Sequence, residues 1–225
     1  MKAYLEPTEI EQMELAAEYL RDKLLVRLLF HLGCRISEVL GIKVSDIDFD
    51  RGLVTIQHLK ARLELFCPNC GARLSKSHKF CPRCGNEVAK ALTQEKEQQR
   101  FRVIPVDETT LAMLQEYIKR DGPVSRNGHK CLFEISRHRA WQIVRDCARQ
   151  AGLPRLINPE TGRIHNVSPH RLRDAFAVHA VKTNDSGDGL RMLQEHLGHR
   201  SITTTMRYRK VSGEEQQEWY QNLWN

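Results

Sequence analysis

The sequence has no uninterrupted apolar run of the roughly 18 residues that a membrane-spanning helix needs. Its first residues, MKAYLEPTEIEQ, lack the apolar stretch of a secretory signal. Together these absences predict an intracellular, cytoplasmic protein with no membrane partner. No internal repeat or low-complexity tract is present, which argues against a solenoid or a disordered tail. The seven cysteines are an odd number for a secreted disulfide scaffold. In a reducing compartment, clustered cysteines read as metal ligands instead.

The chain has 225 residues, enough for one large domain or one domain with a small module. Such a length buries about 70% of the surface its unfolded chain exposes. Lys and Arg number 35 against 28 Asp and Glu, a net charge of +7 that leans toward a polyanion such as nucleic acid.

Helical periodicity dominates. Thr8 and Glu11 fit a capping box, and Leu24, Leu25, Leu28, Leu29 and Leu32 recur at helical spacing before Gly33. A short helix is expected at Ile36 to Leu40. Leu53 to Ile56 and Phe101 to Val106 read as strands. Between them, residues 62–98 change composition, so the simplest reading is a β-hairpin with a module in its turn. Helices are expected from Glu108 to Arg120, after Ser136 as far as Gly152, and from Ser168-Pro169, with Ser at N-cap and Pro at N1. Asn158 to Asn166 reads as a loop or small hairpin. Gly189 to Leu197, Ile202 to about Arg209, and Glu214 to Leu223 complete the helical set.

Cys67-Pro-Asn-Cys70 and Cys81-Pro-Arg-Cys84 are two CxxC knuckles with ten residues between them, each followed by Gly. Four thiolates at this spacing can close a tetrahedron around structural Zn²⁺, leaving no open coordination position for catalysis. A segment this poor in apolar residues cannot fold on burial, so metal binding would supply its folding energy. Arg62, Arg73, Lys76, Lys79 and Arg83 make DNA contact by this module one expectation and a partner surface another.

Ser168-Pro-His170-Arg-Leu-Arg173 places His170 and Arg173 at i and i+3 on the first turn of a helix, whose free amides suit a phosphate. Farther on lies Leu197-Gly-His199, nine residues before Tyr208. Upstream, Gly33-Cys34-Arg35-Ile36-Ser37-Glu38 completes an ordered set. With these motifs the chain resembles the tyrosine recombinases of the phage integrase and Xer-like family over nearly its whole length, the cysteine insert excepted.

The resemblance implies a mainly α catalytic domain over residues 1–225 with a small antiparallel sheet and a zinc ribbon inserted in the β-hairpin. It implies site-specific cleavage and rejoining of double-stranded DNA through a 3′-phosphotyrosine, with no metal or ATP in the chemistry. Arg35 and Arg173 would clamp the phosphate, His170 and His199 would be the two histidines, and Tyr208 the nucleophile. The hairpin lysine falls at Lys60, with Lys90 and Lys96 as alternatives. Two guanidiniums can grip the nonbridging oxygens bidentately. A phenol with an ordinary pKa near 10 needs a base, for which His170 is the candidate, and a lysine suits as the acid for the leaving oxygen.

Three departures stand out. Asp174 occupies the position where the family often has a second histidine. The run Asn184 to Gly189 is about one residue longer than usual. Most of the family carries a separate N-terminal helical domain, whereas this sequence starts almost at the catalytic domain, so that domain is expected either to have been trimmed away or to be naturally absent. The tail, with Trp219, Tyr220, Leu223 and Trp224, is amphipathic enough to dock on a neighbour in a tetramer or on its own chain. Two rival readings are a relaxing enzyme like type IB topoisomerases and a zinc-containing DNA-binding factor that does not cut.

Overall fold

The computed structural model describes residues 2–58, 62–75, 77–96, 100–126, 128–158, 161–209 and 220–223. In chain order the elements are α1 (Pro7–Ala16), α2 (Leu20–His31), α3 (Ile36–Val39), β1 (Ile47–Asp48), β2 (Leu53–His58), β3 (Arg62–Phe66), β4 (Arg73–Leu74), β5 (Leu92–Lys96) and β6 (Arg100–Pro105). They continue as α4 (Glu108–Lys119), β7 (Val124–Arg126), β8 (His129–Cys131), α5 (Arg137–Gln150), β9 (Leu156–Ile157), β10 (Ile164–His165), α6 (Pro169–Thr183), α7 (Gly187–Leu197) and α8 (Ile202–Met206). The fold is mainly helical with small antiparallel sheets, as the sequence predicts. Among the described residues no helix is long and apolar enough to cross a membrane.

The chain divides into two compact units, Met1–Ile56 with Arg102–Asn225, and Gln57–Phe101. The first is built around α2, which packs against α1, α4, α5 and α6. A helix surrounded in this way must be apolar around most of its girth. Leu24, Leu25, Val26, Leu28 and Leu29 are accordingly all fully buried. Beside the helices lies a sheet in the order β1-β2-β6. β1 pairs antiparallel with β2, Ile47 opposite Val54. On β6, Ile104 is buried while Phe101 and Val103 face outward.

The second unit is a separate three-stranded sheet, β4-β3-β5, with Leu65 opposite both Leu74 and Thr93. Its core consists of Cys67, Cys81 and Leu74, with Leu65, Val88 and Ala91 partly buried around them. That is too little apolar surface to offset the chain entropy of ordering the unit.

Several local expectations shift. The first helix starts at Pro7, not near Thr8–Glu11, because the Glu9 carboxylate accepts from the backbone N–H of Glu6 at 2.9 Å. Proline at the first helical position costs no hydrogen bond there. Ser168 precedes α6 as expected, but its side chain makes no capping hydrogen bond. The helix after Ser201 ends at Met206, short of Arg209. On α4 the buried residues are Thr110, Leu114 and Tyr117, while Leu111 and Ile118 are only partly buried. The β7–β8 hairpin was not anticipated. Most of the tail, including Trp219 and Trp224, lies outside the described residues.

Candidate active site

Arg173 is the keystone. It sits one turn into α6 and is only 2% exposed. One terminal nitrogen, Nη1, donates to the carbonyl of Gly33 at 2.6 Å. The other, Nη2, donates to the carbonyl of Leu197 at 2.8 Å and reaches His199 Nε2 at 3.2 Å. The planar guanidinium therefore ties together the end of α2, the end of α7 and the start of α6. Both helix ends need a left-handed residue to turn the chain, and Gly33 (φ +54°) and Gly198 (φ +66°) supply it. A methyl group on Gly33 would meet Phe176 Cδ1 at 2.5 Å, so that junction has no room for a side chain. Burial, reinforced by Arg35, brings the Arg173 pKa down to about 10.

Arg35 caps α3 and points its Nη1 at Glu38 Oε1, 2.8 Å away. The Glu38 carboxylate also accepts the Arg35 backbone N–H at 2.9 Å. Its side chain is 1% exposed, and burial alone would raise its pKa. Arg102 on β6 reverses that by donating from Nη2 to Oε2 at 2.7 Å; with Arg35 it holds the carboxyl at about 2. Arg102 also reaches Cys34 Sγ at 3.5 Å, where burial pushes the thiol up to about 11. Glu38 thus fixes where Arg35 points, and Arg102 keeps Glu38 charged.

His199 follows the α7 cap. Its Nδ1 lies 3.0 Å from the hydroxyl of fully buried Thr205. Because Arg173 can only donate, Nε2 is the ring's acceptor and Nδ1 carries the proton toward Thr205. Burial, then Arg173 and Arg35, lower the His199 pKa to about 4, so the ring is neutral at pH 7. Gln194 fastens the backbone, donating to the His199 carbonyl at 3.1 Å.

Tyr208 stacks on His199 at 6.3 Å between ring centroids. Its hydroxyl donates to Asp174 Oδ1 at 2.8 Å. Burial and the Asp174 charge push the phenol well above its ordinary pKa. Next to it, Arg209 pairs with Asp185 at 2.9 Å and anchors the segment to the α6–α7 connection.

The structure thus brings Arg173, His199 and Tyr208 into one contiguous group, with Arg35 on the electrostatic border of Arg173. His170 is more peripheral. Its side chain is 72% exposed, and Nε2 lies 3.8 Å from Asp174 Oδ1. The acceptor on the phenol is Asp174, not the expected His170. Lys60 lies outside the described residues. Lys90 is exposed in the second unit, and Lys96 is on β5 of that unit. Sequence reasoning missed Asp174 as the phenol's acceptor, and also Arg102 and Thr205. The sole advance signal was Asp174 standing in place of a histidine.

In the second unit, Sγ atoms of Cys67, Cys70, Cys81 and Cys84 all lie within 4.8 Å of one another. Cys67 and Cys84 are 3.7 Å apart, and Cys70 and Cys81 3.5 Å. A tetrahedral ion with Zn–S bonds of about 2.3 Å has edges of about 3.8 Å. The donor set fits such an ion.

Residues 3–215 match the phage integrase family. The tyrosine recombinase XerD of Neisseria meningitidis is 30% identical over 201 residues, covering 86% of this chain and 51% of the relative. The tyrosine recombinase XerA of Pyrococcus furiosus is 27% identical over 206 residues, covering 88% of this chain and 53% of the relative. The chain thus spans about half the length of these curated relatives. Among solved structures, a XerA recombinase superposes with a TM-score of 0.64 at 19% identity, covering 100% of this chain and 65% of that one. The XerH recombinase bound to its difH substrate gives 0.63 at 20% identity, covering 98% and 55%. At these identities the structures establish the fold. The family match spans both the Arg35 and the Tyr208 ends of the site, and on that ground the chain belongs to the phage integrase family.

Proposed function

We propose that the chain cleaves and rejoins double-stranded DNA at a specific site, through a 3′-phosphotyrosine on Tyr208. The observation that carries this reading is the convergence of a buried arginine, a neutral histidine and a tyrosine hydroxyl from three separate segments. Arg35 and Arg173 would stabilise the charge gathering on the nonbridging oxygens, the largest catalytic term in such a displacement. His199 would leave Arg173 and carry its ring proton on Nε2 instead, with the Thr205 hydroxyl then donating to Nδ1, so that Nε2 donates to the phosphate. The phenol oxygen forms the new bond to phosphorus as the bond to the 5′ oxygen breaks. Lys60 remains the proposed acid for that oxygen, and the phenol proton passes to a group on the first turns of α6, near His170. The phosphotyrosine conserves the bond energy, so resealing needs no ATP.

A cleft of about 680 Å³ on the same unit supports a DNA partner. Arg139, Arg145, Arg149 and Arg155 line it, all exposed, and Arg145 lies 4.7 Å over the Trp141 ring. Exposed guanidiniums suit a phosphate backbone. XerH binds its difH substrate and a lambda integrase dimer binds a core site. By analogy we infer assembly on DNA, as a tetramer, in the cytoplasm. We also propose residues 62–98 as an inserted ribbon whose Cys67, Cys70, Cys81 and Cys84 hold structural Zn²⁺. Bound zinc would supply its folding energy and take no part in cleavage.

The test uses a pool of end-labelled nicked duplexes with randomised cores, separated on a denaturing gel. Wild type is expected to leave a covalent protein–DNA band, and Tyr208→Phe none. A band of equal intensity from Tyr208→Phe would overturn the assignment of the nucleophile.

A further inference from the structure

We propose that Asp174 is a catalytic residue of this site: its carboxylate takes the proton from Tyr208 as the phenol attacks, and His170 acts through it. The proposal rests on the strand-transfer reading above.

Four observations carry it. First, Tyr208 Oη, the atom that would attack, donates directly to Asp174 Oδ1 at 2.8 Å. A general base must lie within about 2.6–3.2 Å of the atom whose proton it takes. Second, the Asp174 side chain is only 7% exposed, so little water competes for it. Third, it is held in place. Arg171 Nη1 donates to its other oxygen, Oδ2, at 3.0 Å, which leaves Oδ1 aimed at the phenol. Fourth, His170 Nε2 is 3.8 Å from that same Oδ1 and, being exposed, exchanges protons with solvent. His170 and Asp174 are four residues apart on α6 and so share one face.

The step balances. As the Tyr208 oxygen bonds to phosphorus, its O–H bond breaks and a proton joins Asp174 Oδ1. His170, 3.8 Å from Oδ1, then carries that proton away through one bridging water, leaving Asp174 a carboxylate again. On rejoining, the proton returns by the same path to the departing phenol oxygen. No redox partner or co-reactant is needed.

The charged and titratable groups facing the pair come from several segments. His170, Arg171 and Arg173 come from α6 itself, and His199 from the turn after α7. Tyr4, from the N-terminal segment, exerts a further electrostatic influence on Tyr208. Burial and the Asp174 charge keep the phenol protonated before DNA arrives. A phenol held in this way needs an acceptor already hydrogen-bonded to it.

The experiment compares wild type, Asp174→Asn and Asp174→His in single-turnover covalent-complex formation, on whichever nicked duplex of the randomised pool wild type attacks. Rates are taken between pH 5.5 and 9, with DNA affinity measured in parallel. Asn keeps the size and the polar contact but cannot accept a proton, so the rate should fall about 10²- to 10³-fold. Affinity should change less than about threefold, and the Asn variant's rate should climb with pH toward wild type. Histidine, which can accept a proton, should restore at least a tenfold part of the loss. Three results overturn the proposal: an Asn rate within threefold of wild type, an Asn rate above wild type, or an equal loss at every pH that histidine does not rescue. A wild type that attacks no duplex at all would instead sink the strand-transfer reading. Carbon-13 labelling of the tyrosine rings tests the hydrogen bond without DNA: the Tyr208 signal, assigned with Tyr208→Phe, should titrate at lower pH in Asp174→Asn. An unmoved titration would remove the contact on which the proposal stands.

Discussion

Replacing Arg173 by Lys keeps the positive charge and removes the fork, which isolates what the guanidinium does structurally. In the native site the fork serves two main-chain carbonyls, Gly33 at 2.6 Å and Leu197 at 2.8 Å, and also reaches His199. Each hydrogen bond from a charged donor is worth about 1.5–3 kcal/mol, and a buried carbonyl left without its donor costs about 1–3 kcal/mol. A lysine ammonium can reach one carbonyl but not span both, because it is a point charge on a flexible stem. The expected net loss is about 3 kcal/mol. For a chain of this size each kcal/mol lowers Tm by about 2–4 °C, so Arg173→Lys should melt about 6–12 °C below wild type. Thermal unfolding followed by circular dichroism at 222 nm, without DNA, reads this directly. The loss should exceed that of any exposed arginine of the α5 cleft, such as Arg149→Lys. A Tm within about 1 °C of wild type would mean that Arg173 does not tie the three helix ends together.

Other expectations follow from the same geometry. Glu38→Gln should cost about 3 kcal/mol, because Arg102 is then left as a buried charge without a counter-ion; equal urea midpoints would refute it. Burial lowers the pKa values of His31, His196 and His199 in the fold, the last to about 4. The unfolded chain therefore binds more protons below its ordinary histidine pKa of about 6.5, and stability should fall as pH drops from there toward 4, by at most about 1.4 kcal/mol per unit for each histidine. His199→Gln should flatten part of that slope, and an unchanged slope would contradict its neutral assignment. Purified protein should release one zinc per chain. A strong chelator should expose residues 67–84 to protease while the helical unit keeps its melting transition; full resistance after metal removal would count against the ribbon.

Much of the helical frame was legible because its cause is local. The leucines of α2, Ser136 before α5 and the Ser-Pro start of α6 announce themselves over a few residues. The four cysteines were legible for the same reason. What escaped depends on long-range partners. Arg102 shares the inward face of β6 with Ile104, while Phe101 and Val103 point outward, so hydrophobic alternation alone inverts the faces of that strand. Glu38, 64 residues upstream, explains it. Asp174 looked like an ordinary polar residue beside the box arginine, because its partner Tyr208 lies 34 residues farther on. His170 looked central from its motif, yet helix geometry turns it outward. Histidine and arginine at i and i+3 share a face only approximately, and Arg173 takes the inward position.

On the proposed reading Tyr208 bonds covalently to DNA. The most direct test is digestion of the wild-type protein–DNA complex, followed by mass spectrometry of the peptide carrying the nucleotide. A phosphodiester remnant is expected on Tyr208 and none in Tyr208→Phe. A remnant on another residue, or no covalent complex from folded, zinc-loaded protein on any duplex of the pool, would contradict it.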